Sequence, residues 1–135
     1  MALMIWSDKL SVGVQSIDAQ HSVLVEALNE LHGAMMKGQA RSLTGPLLRN
    51  LVAYTRDHFA AEEAMMAAAK YPGLTEHHLR HRDLSQQVEG YIARFEQGEI
   101  TLSLHLLNFL RDWLTNHILK EDRAYGPWLN EHGIR

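Results

Sequence analysis

The sequence predicts an all-α protein, an up-down-up-down antiparallel four-helix bundle preceded by an extended N-terminal arm. Leu and Ala together number 34, against 17 for Val, Ile and Thr combined, a balance that favours helices over sheets. Gly and Pro are sparse, at 9 and 3 in 135 residues, and several stand where long apolar-periodic segments end. Four such segments of about 20 residues with short connections close most simply as an antiparallel bundle.

Residues 1–17 alternate weakly over Leu10-Ser11-Val12-Gly13-Val14 and read as the arm. Asp18 can cap a first helix running to about Lys37, with Leu24, Leu28 and Leu31 as its apolar stripe, and Gly38 stops it. Ser42 or Thr44 opens the second helix, where Pro46 is tolerable in the first turn. It runs to about Lys70, and Tyr71-Pro72-Gly73 breaks it. Thr75 caps a third helix to about Gln97, closed by Gly98. The fourth begins near residues 101–103 and continues to about Arg123, ahead of Gly126-Pro127. The expected organisation is one domain over 1–135, with arm 1–17, bundle about 18–123 and C-terminal tail 124–135.

Composition removes several function classes. A formal net charge of −3, with no Lys/Arg stripe, leaves no footprint for nucleic acid. No apolar run approaches the roughly 20 residues of a membrane span. Met1 to Leu10 carries Trp6, Asp8 and Lys9 where a signal peptide needs an apolar stretch. Absence of Cys excludes disulfides, thiolate zinc sites and iron–sulfur clusters, and fits a cytoplasmic setting. Nine His in such a chain is the anomaly.

Their spacing gives the anomaly a direction. His58 and Glu62, and His77 and His81, are i,i+4 pairs, each presenting two donors on one helix face. One such pair is weak evidence, because polar i,i+4 pairs often sit on solvated faces. Levels along the bundle strengthen it. His21 lies about as far before the first turn as His58 lies after it, and His81 and His117 flank the third turn in the same way. At about 1.5 Å per residue these side chains reach one layer of an antiparallel bundle. His117 also continues the stripe of Leu106, Leu110 and Trp113, and His21 starts that of Leu24. Core histidines satisfied by backbone carbonyls explain one such residue better than five at one level. Buried imidazoles beside a carboxylate point to a metal ion. His78, His105 and His132 read as surface, His32 as a core or boundary residue, and Glu63 as solvent-facing. Asp18 is also a candidate acceptor for the His21 ring.

Several segments resemble the hemerythrin family, whose bacterial members are non-haem di-iron proteins. They are Trp6-Ser7-Asp8-Lys9-Leu10-Ser11-Val12-Gly13-Val14, Ile17-Asp18-Ala19-Gln20-His21, His58-Phe59-Ala60-Ala61-Glu62-Glu63, Tyr71-Pro72 followed by His77-x-x-x-His81, and Trp113-Leu114-x-x-His117-Ile118-x-x-x-Asp122. The resemblance covers essentially the whole chain. It implies two iron ions per chain with an oxo or hydroxo bridge. One would be held by His77, His81 and His117, the other by His21 and His58, with Glu62 and Asp122 bridging both. One position of two octahedral ions then stays open, on the iron with two histidines, where O2 binds reversibly. Phe59, Trp113 and Leu114 would wall that pocket, with Tyr125 near the bridging carboxylates, and the diferric form would take small anions such as azide. Leu84 stands where the family often has Phe, which bears on pocket access.

The expected function is thus O2 carriage, storage or delivery in a bacterial cell, without enzymatic activity and with no recipient named by the sequence. An O2 or redox sensor is the alternative; sensor versions are typically fused to signalling domains, and none is recognisable between Met1 and Arg135. A di-iron oxidase or peroxidase would favour Glu-x-x-His pairs, and no His here has Glu three residues before it. Asp122 fits least well: five residues past His117 is about 140° round an ideal helix.

Overall fold

The computed structural model describes residues 4–38, 41–98, 104–117 and 122–135, apart from the side chains of 41–44 and 104–106. These residues form five α-helices: α1 Gln15–Met36, α2 Arg41–Ala68, α3 Leu74–Glu96, α4 Leu104–Asn116 and α5 Arg123–Glu131. No strand occurs among them. Helices α1 to α4 are the expected bundle, with α1 packed on α2 and α4, and α2 on α3. The core combines the Leu24, Leu28 and Leu31 stripe read from the sequence with Ile17 from α1, Leu48, Leu51 and Met66 from α2, Val88 and Phe95 from α3, and Leu107, Leu110 and Leu114 from α4. The side chains of His105 and Leu106 lie outside the described residues.

Three helix starts differ from expectation. Helix α2 begins at Arg41, so Ser42 and Thr44 lie inside it and Pro46 falls beyond its first turn. Helix α1 begins three residues before Asp18, after an extended Val14 that makes no side-chain cap. The Asp18 carboxylate is committed to the arm instead, accepting from the Ser11 hydroxyl at 2.5 Å and the Val12 N–H at 2.9 Å. Helix α3 begins at Leu74 behind Gly73, so Thr75 is not its cap. The end of α2 needs a left-handed residue, which is Lys70 at φ 54°, and the Tyr71 N–H closes back on the Met66 carbonyl at 2.9 Å.

The arm is not extended throughout, since Asp8–Leu10 forms a 3-10 turn. It is pinned on both sides. The Met4 backbone exchanges two hydrogen bonds with the Asn29 side chain, at 3.0 and 2.7 Å. The Arg123 guanidinium donates to the Lys9 carbonyl, and the Asn130 amide donates to the Gly13 carbonyl at 2.9 Å.

The segment 124–135, expected as a tail beyond a Gly126-Pro127 break, is largely helix α5. Pro127 costs that helix one backbone hydrogen bond, and tertiary packing outweighs the loss. Tyr125 and Leu129 are fully buried. The Trp128 indole N–H donates to the Ala69 carbonyl at 2.8 Å, and its ring meets Tyr71 edge-on at 6.1 Å. Gly126 is required where α5 crosses the arm: a Cβ there would lie 2.1 Å from the Val12 carbonyl oxygen.

Between α4 and α5, His117 and Asp122 both adopt the wider turn of a π-helix. Residues 118–121 lie outside the described residues, so the expected continuation of the fourth helix to Arg123 is described only at its two ends. A π turn closes between residues i and i+5, which accounts for the spacing that an ideal α-helix does not.

Candidate metal centre

Seven side chains from three helices and the π-helical positions between α4 and α5 meet in one buried layer: His21 from α1, His58 and Glu62 from α2, His77 and His81 from α3, then His117 and Asp122. None is more than 4% exposed. Their donor atoms fall into two groups that could each hold a metal ion, and both groups include Glu62 and Asp122.

The two carboxylates divide their oxygens between the groups. Glu62 Oε1 contacts His58 Nε2 and lies 3.3 Å from His117 Nε2, and Glu62 Oε2 lies 3.4 Å from His77 Nε2 and 4.0 Å from His81 Nε2. Asp122 Oδ2 lies 2.7 Å from His21 Nε2 and 2.8 Å from His117 Nε2, and Asp122 Oδ1 lies 3.1 Å from His77 Nε2. His117 differs from the partition that the resemblance implies. Its Nε2 shares oxygens with His21 and His58, although its ring centroid is nearer to His81 (5.1 Å) than to His21 (6.1 Å). The π turn accounts for this, by setting His117 and Asp122 side by side.

Electrostatics follow from packing two acids and five imidazoles in one buried layer. Burial alone would raise the carboxyls of Glu62 and Asp122, yet the surrounding histidines hold both below the usual carboxylate range. Burial opposes charging His77, but Asp122 and Glu62 outweigh it and push its pKa up to about 9; His21 is raised by the same two groups against the same burial. Burial dominates at His81, helped by the positive charge of His117 and His77, and takes it down to about 4. Burial and the charges of Glu62 and Asp122 drive the Tyr125 phenol upward, so it stays neutral.

Outer partners orient two rings. His58 Nδ1 lies 2.6 Å from Gln20 Oε1, and His81 Nδ1 lies 3.4 Å from Glu63 Oε2. An acceptor at Nδ1 fixes the proton there and leaves Nε2 to face the cluster. Neither Gln20 nor Glu63 was expected in this role; the available signal is that each adjoins a ligand-type residue in sequence. Glu63 is half-buried rather than solvent-facing, and its other oxygen contacts His78 Nδ1. Asp18, held by the arm, does not serve His21, whose Nδ1 is buried without a partner. His78 and His132 are exposed, and His32 is a boundary residue.

Aromatic and apolar side chains line the layer. Phe59 stacks on His81 with centroids 3.8 Å apart, and Trp113 lies nearly parallel to His117 at 5.9 Å. Leu114 is buried. A mainly apolar cavity between α2, α3 and α4 is lined by Leu51, Thr55, Phe59, Val88 and Leu110, and a surface cleft reaches His117 past Phe109 and Asn116. Leu84 and Trp113 line both spaces, and Leu114 lines neither.

The residues present fit a metal. His58 Nε2, His77 Nε2, His81 Nε2, Glu62 Oε2 and Asp122 Oδ1 are all buried, and although His and carboxylate atoms lie close together, none of these five makes a hydrogen bond of proper geometry. Such orphans cost about 1–3 kcal/mol each if nothing satisfies them. Imidazole nitrogens mixed with carboxylate oxygens suit iron, manganese or zinc. Fold and site together define a helical bundle with two groups of potential metal donors that share a pair of carboxylates.

Comparison with known proteins sharpens that class. Residues 12–129 match the family model for the hemerythrin HHE cation binding domain. The chain is 39% identical over 132 residues to bacteriohemerythrin of Stenotrophomonas maltophilia (strain R551-3), covering 98% of this chain and 85% of that one. Against bacteriohemerythrin of Methylococcus capsulatus (strain ATCC 33009 / NCIMB 11132 / Bath) the identity is 34%, covering 96% and 99%. The crystal structure of a wild-type hemerythrin superposes with a TM-score of 0.90 at 34% identity, covering 95% of this chain and 98% of that one. The chain belongs to the hemerythrin family. Members of that family bind non-haem iron. No helix among the described residues is long and apolar enough to cross a membrane.

Proposed function

We propose that this chain binds O2 reversibly at two bridged irons, as a carrier, store or delivery protein in the bacterial cytoplasm, without enzymatic turnover. The observation that carries the reading is the division of Glu62 and Asp122, oxygen by oxygen, between two groups of histidines. That pattern suits a pair of ions and is wasteful for one. His21, His58, His77, His81, His117, Glu62 and Asp122 would hold the irons, which supply the electrons that O2 takes up and returns. Phe59, Trp113 and Leu114 would keep water and anions from the open position. Tyr125, fully buried and neutral, holds its proton beside the carboxylates rather than giving it up.

Iron analysis after reconstitution should give about two equivalents per chain. An optical spectrum of anaerobically reduced protein should gain an oxo-bridge charge-transfer band in air and lose it on deoxygenation. A reproducible value near one iron, stoichiometric zinc instead, or irreversible oxidation in the first exposure would overturn the reading.

Access to the site supplies a second expected result. Leu114→Ala should keep both irons yet oxidise faster in air and admit azide sooner, because an apolar cover is removed. Truncating a buried Leu costs roughly 2–5 kcal/mol, so rates are compared well below unfolding. Leu84→Ala is the companion variant, since Leu84 lines both the cavity and the cleft. Stopped-flow azide binding decides between them: unchanged rates in Leu114→Ala with faster rates in Leu84→Ala would move the gate to Leu84.

A further inference from the structure

The outer partners of the two donor groups differ in charge. On one side His58 Nδ1 faces the neutral amide oxygen of Gln20. On the other, His81 Nδ1 faces a carboxylate, Glu63, whose second oxygen contacts the exposed His78. Glu63 is adjacent to Glu62 on α2 but points to the other side of the His81 ring, so one helical turn supplies both an inner and an outer carboxylate. His81 is itself 2% exposed and stacked face to face on Phe59. Its ring plane is therefore set by Phe59, and the hydrogen bond selects which nitrogen faces inward.

We propose that Glu63 is a positioning residue that makes the two metals inequivalent, by accepting from His81 Nδ1–H where Gln20 does the same for His58. An anionic acceptor raises the basicity of the imidazole behind it, and a neutral amide does so less. The metal bound through His81 therefore receives more electron density and favours its oxidised form. Glu63 also fixes the tautomer, leaving the Nε2 lone pair directed into the cluster. This rests on the di-iron reading for its redox consequence, but not for the tautomer.

Two measurements separate those parts. Long-range 1H–15N correlation on the metal-free full chain reads the His81 tautomer, because a metal on Nε2 would by itself place the proton on Nδ1. The wild type should carry the proton on Nδ1, and Glu63→Leu should lose that preference. Spectroelectrochemistry on iron-loaded protein reads the charge effect. Glu63→Gln, which keeps an acceptor and the side-chain volume, should preserve the tautomer and shift the reduction potential positive. Gln20→Glu should shift it negative. Iron retention against a chelator should fall about 10–100-fold in Glu63→Leu. His78→Ala, which removes an exposed neighbour, should leave iron retention and tautomer unchanged.

A wild-type tautomer with the proton on Nε2, or a Glu63→Gln potential equal to that of the wild type, would overturn the proposal. So would His78→Ala reproducing the Glu63→Leu loss, because the effect would then belong to the surface pair. A metal-free chain that shows the expected tautomer but takes up no iron would overturn the di-iron reading and leave the role of Glu63 in orienting His81 intact.

Discussion

If the chain holds two irons as proposed, Glu62→Ala is expected to strip it of both rather than one. Glu62 Oε1 faces His58 and His117, and Oε2 faces His77 and His81, so a single truncation removes a donor from each group. Altering a residue that only touches a ligand costs 10–100-fold in affinity; removing a shared ligand should cost more at both metals. Iron per chain should therefore fall at least about 10-fold by elemental analysis, with the charge-transfer band lost in parallel. The protein should also melt lower without metal. The five histidines around Glu62 would be left with Asp122 alone of the two shared carboxylates, and breaking a buried ion pair costs about 3–5 kcal/mol. Glu62→Gln, with nearly the same volume, should lose iron too, which separates charge from packing. Retention of one full iron in either variant would mean that Glu62 serves one metal only.

The four bundle helices, and six of the seven residues that meet in the buried layer, were legible because they obey the helical period that a sequence displays openly. Leu24, Leu28 and Leu31 follow the 3.6-residue period, and so do the pairs His58 with Glu62 and His77 with His81. Asp122 was legible only by resemblance, since the π turn that brings it beside His117 has no signature in hydrophobic pattern. Helix α5 was missed for a related reason. Gly126-Pro127 reads locally as a break, and what overrides it lies far off in sequence: Ala69 accepting from Trp128, and Val12 pressing on Gly126. Asp18 shows a third failure. As the first acid ahead of an apolar stripe it looks like a cap, but local pattern cannot reveal that Ser11 and Val12 compete for its carboxylate. Gln20 and Glu63 escaped because outer partners need only reach a ring nitrogen, which sets no repeat.

Gly126→Ala is expected to destabilise the protein strongly, although Ala is the better helix former. Gly126 lies within α5 and its φ is not positive, so the backbone would accept Ala and gain about 1 kcal/mol from propensity. Against that, the added Cβ would lie 2.1 Å from the Val12 carbonyl oxygen and 3.2 Å from its carbon. The obstacle is main chain and cannot rotate away. It is also held in place, because the Val12 N–H is bound to Asp18 and the next carbonyl, that of Gly13, accepts from Asn130. Either the arm leaves α1 or α5 lifts and uncovers Tyr125 beside the carboxylates. Overpacking of this kind costs about 1–3 kcal/mol and occasionally more, and a contact so short with fixed backbone belongs at the upper end. The net loss should be about 2 kcal/mol, lowering Tm by roughly 5–10 °C. Gly90→Ala is the matched control: Gly90 is exposed on α3, and a Cβ there meets nothing within 4 Å. The same substitution should stabilise there by about 0.5–1 kcal/mol. Thermal melts of the two variants should therefore move in opposite directions from the wild type. Gly126→Ala melting with Gly90→Ala, above the wild type, would show that the arm does not seat against α5.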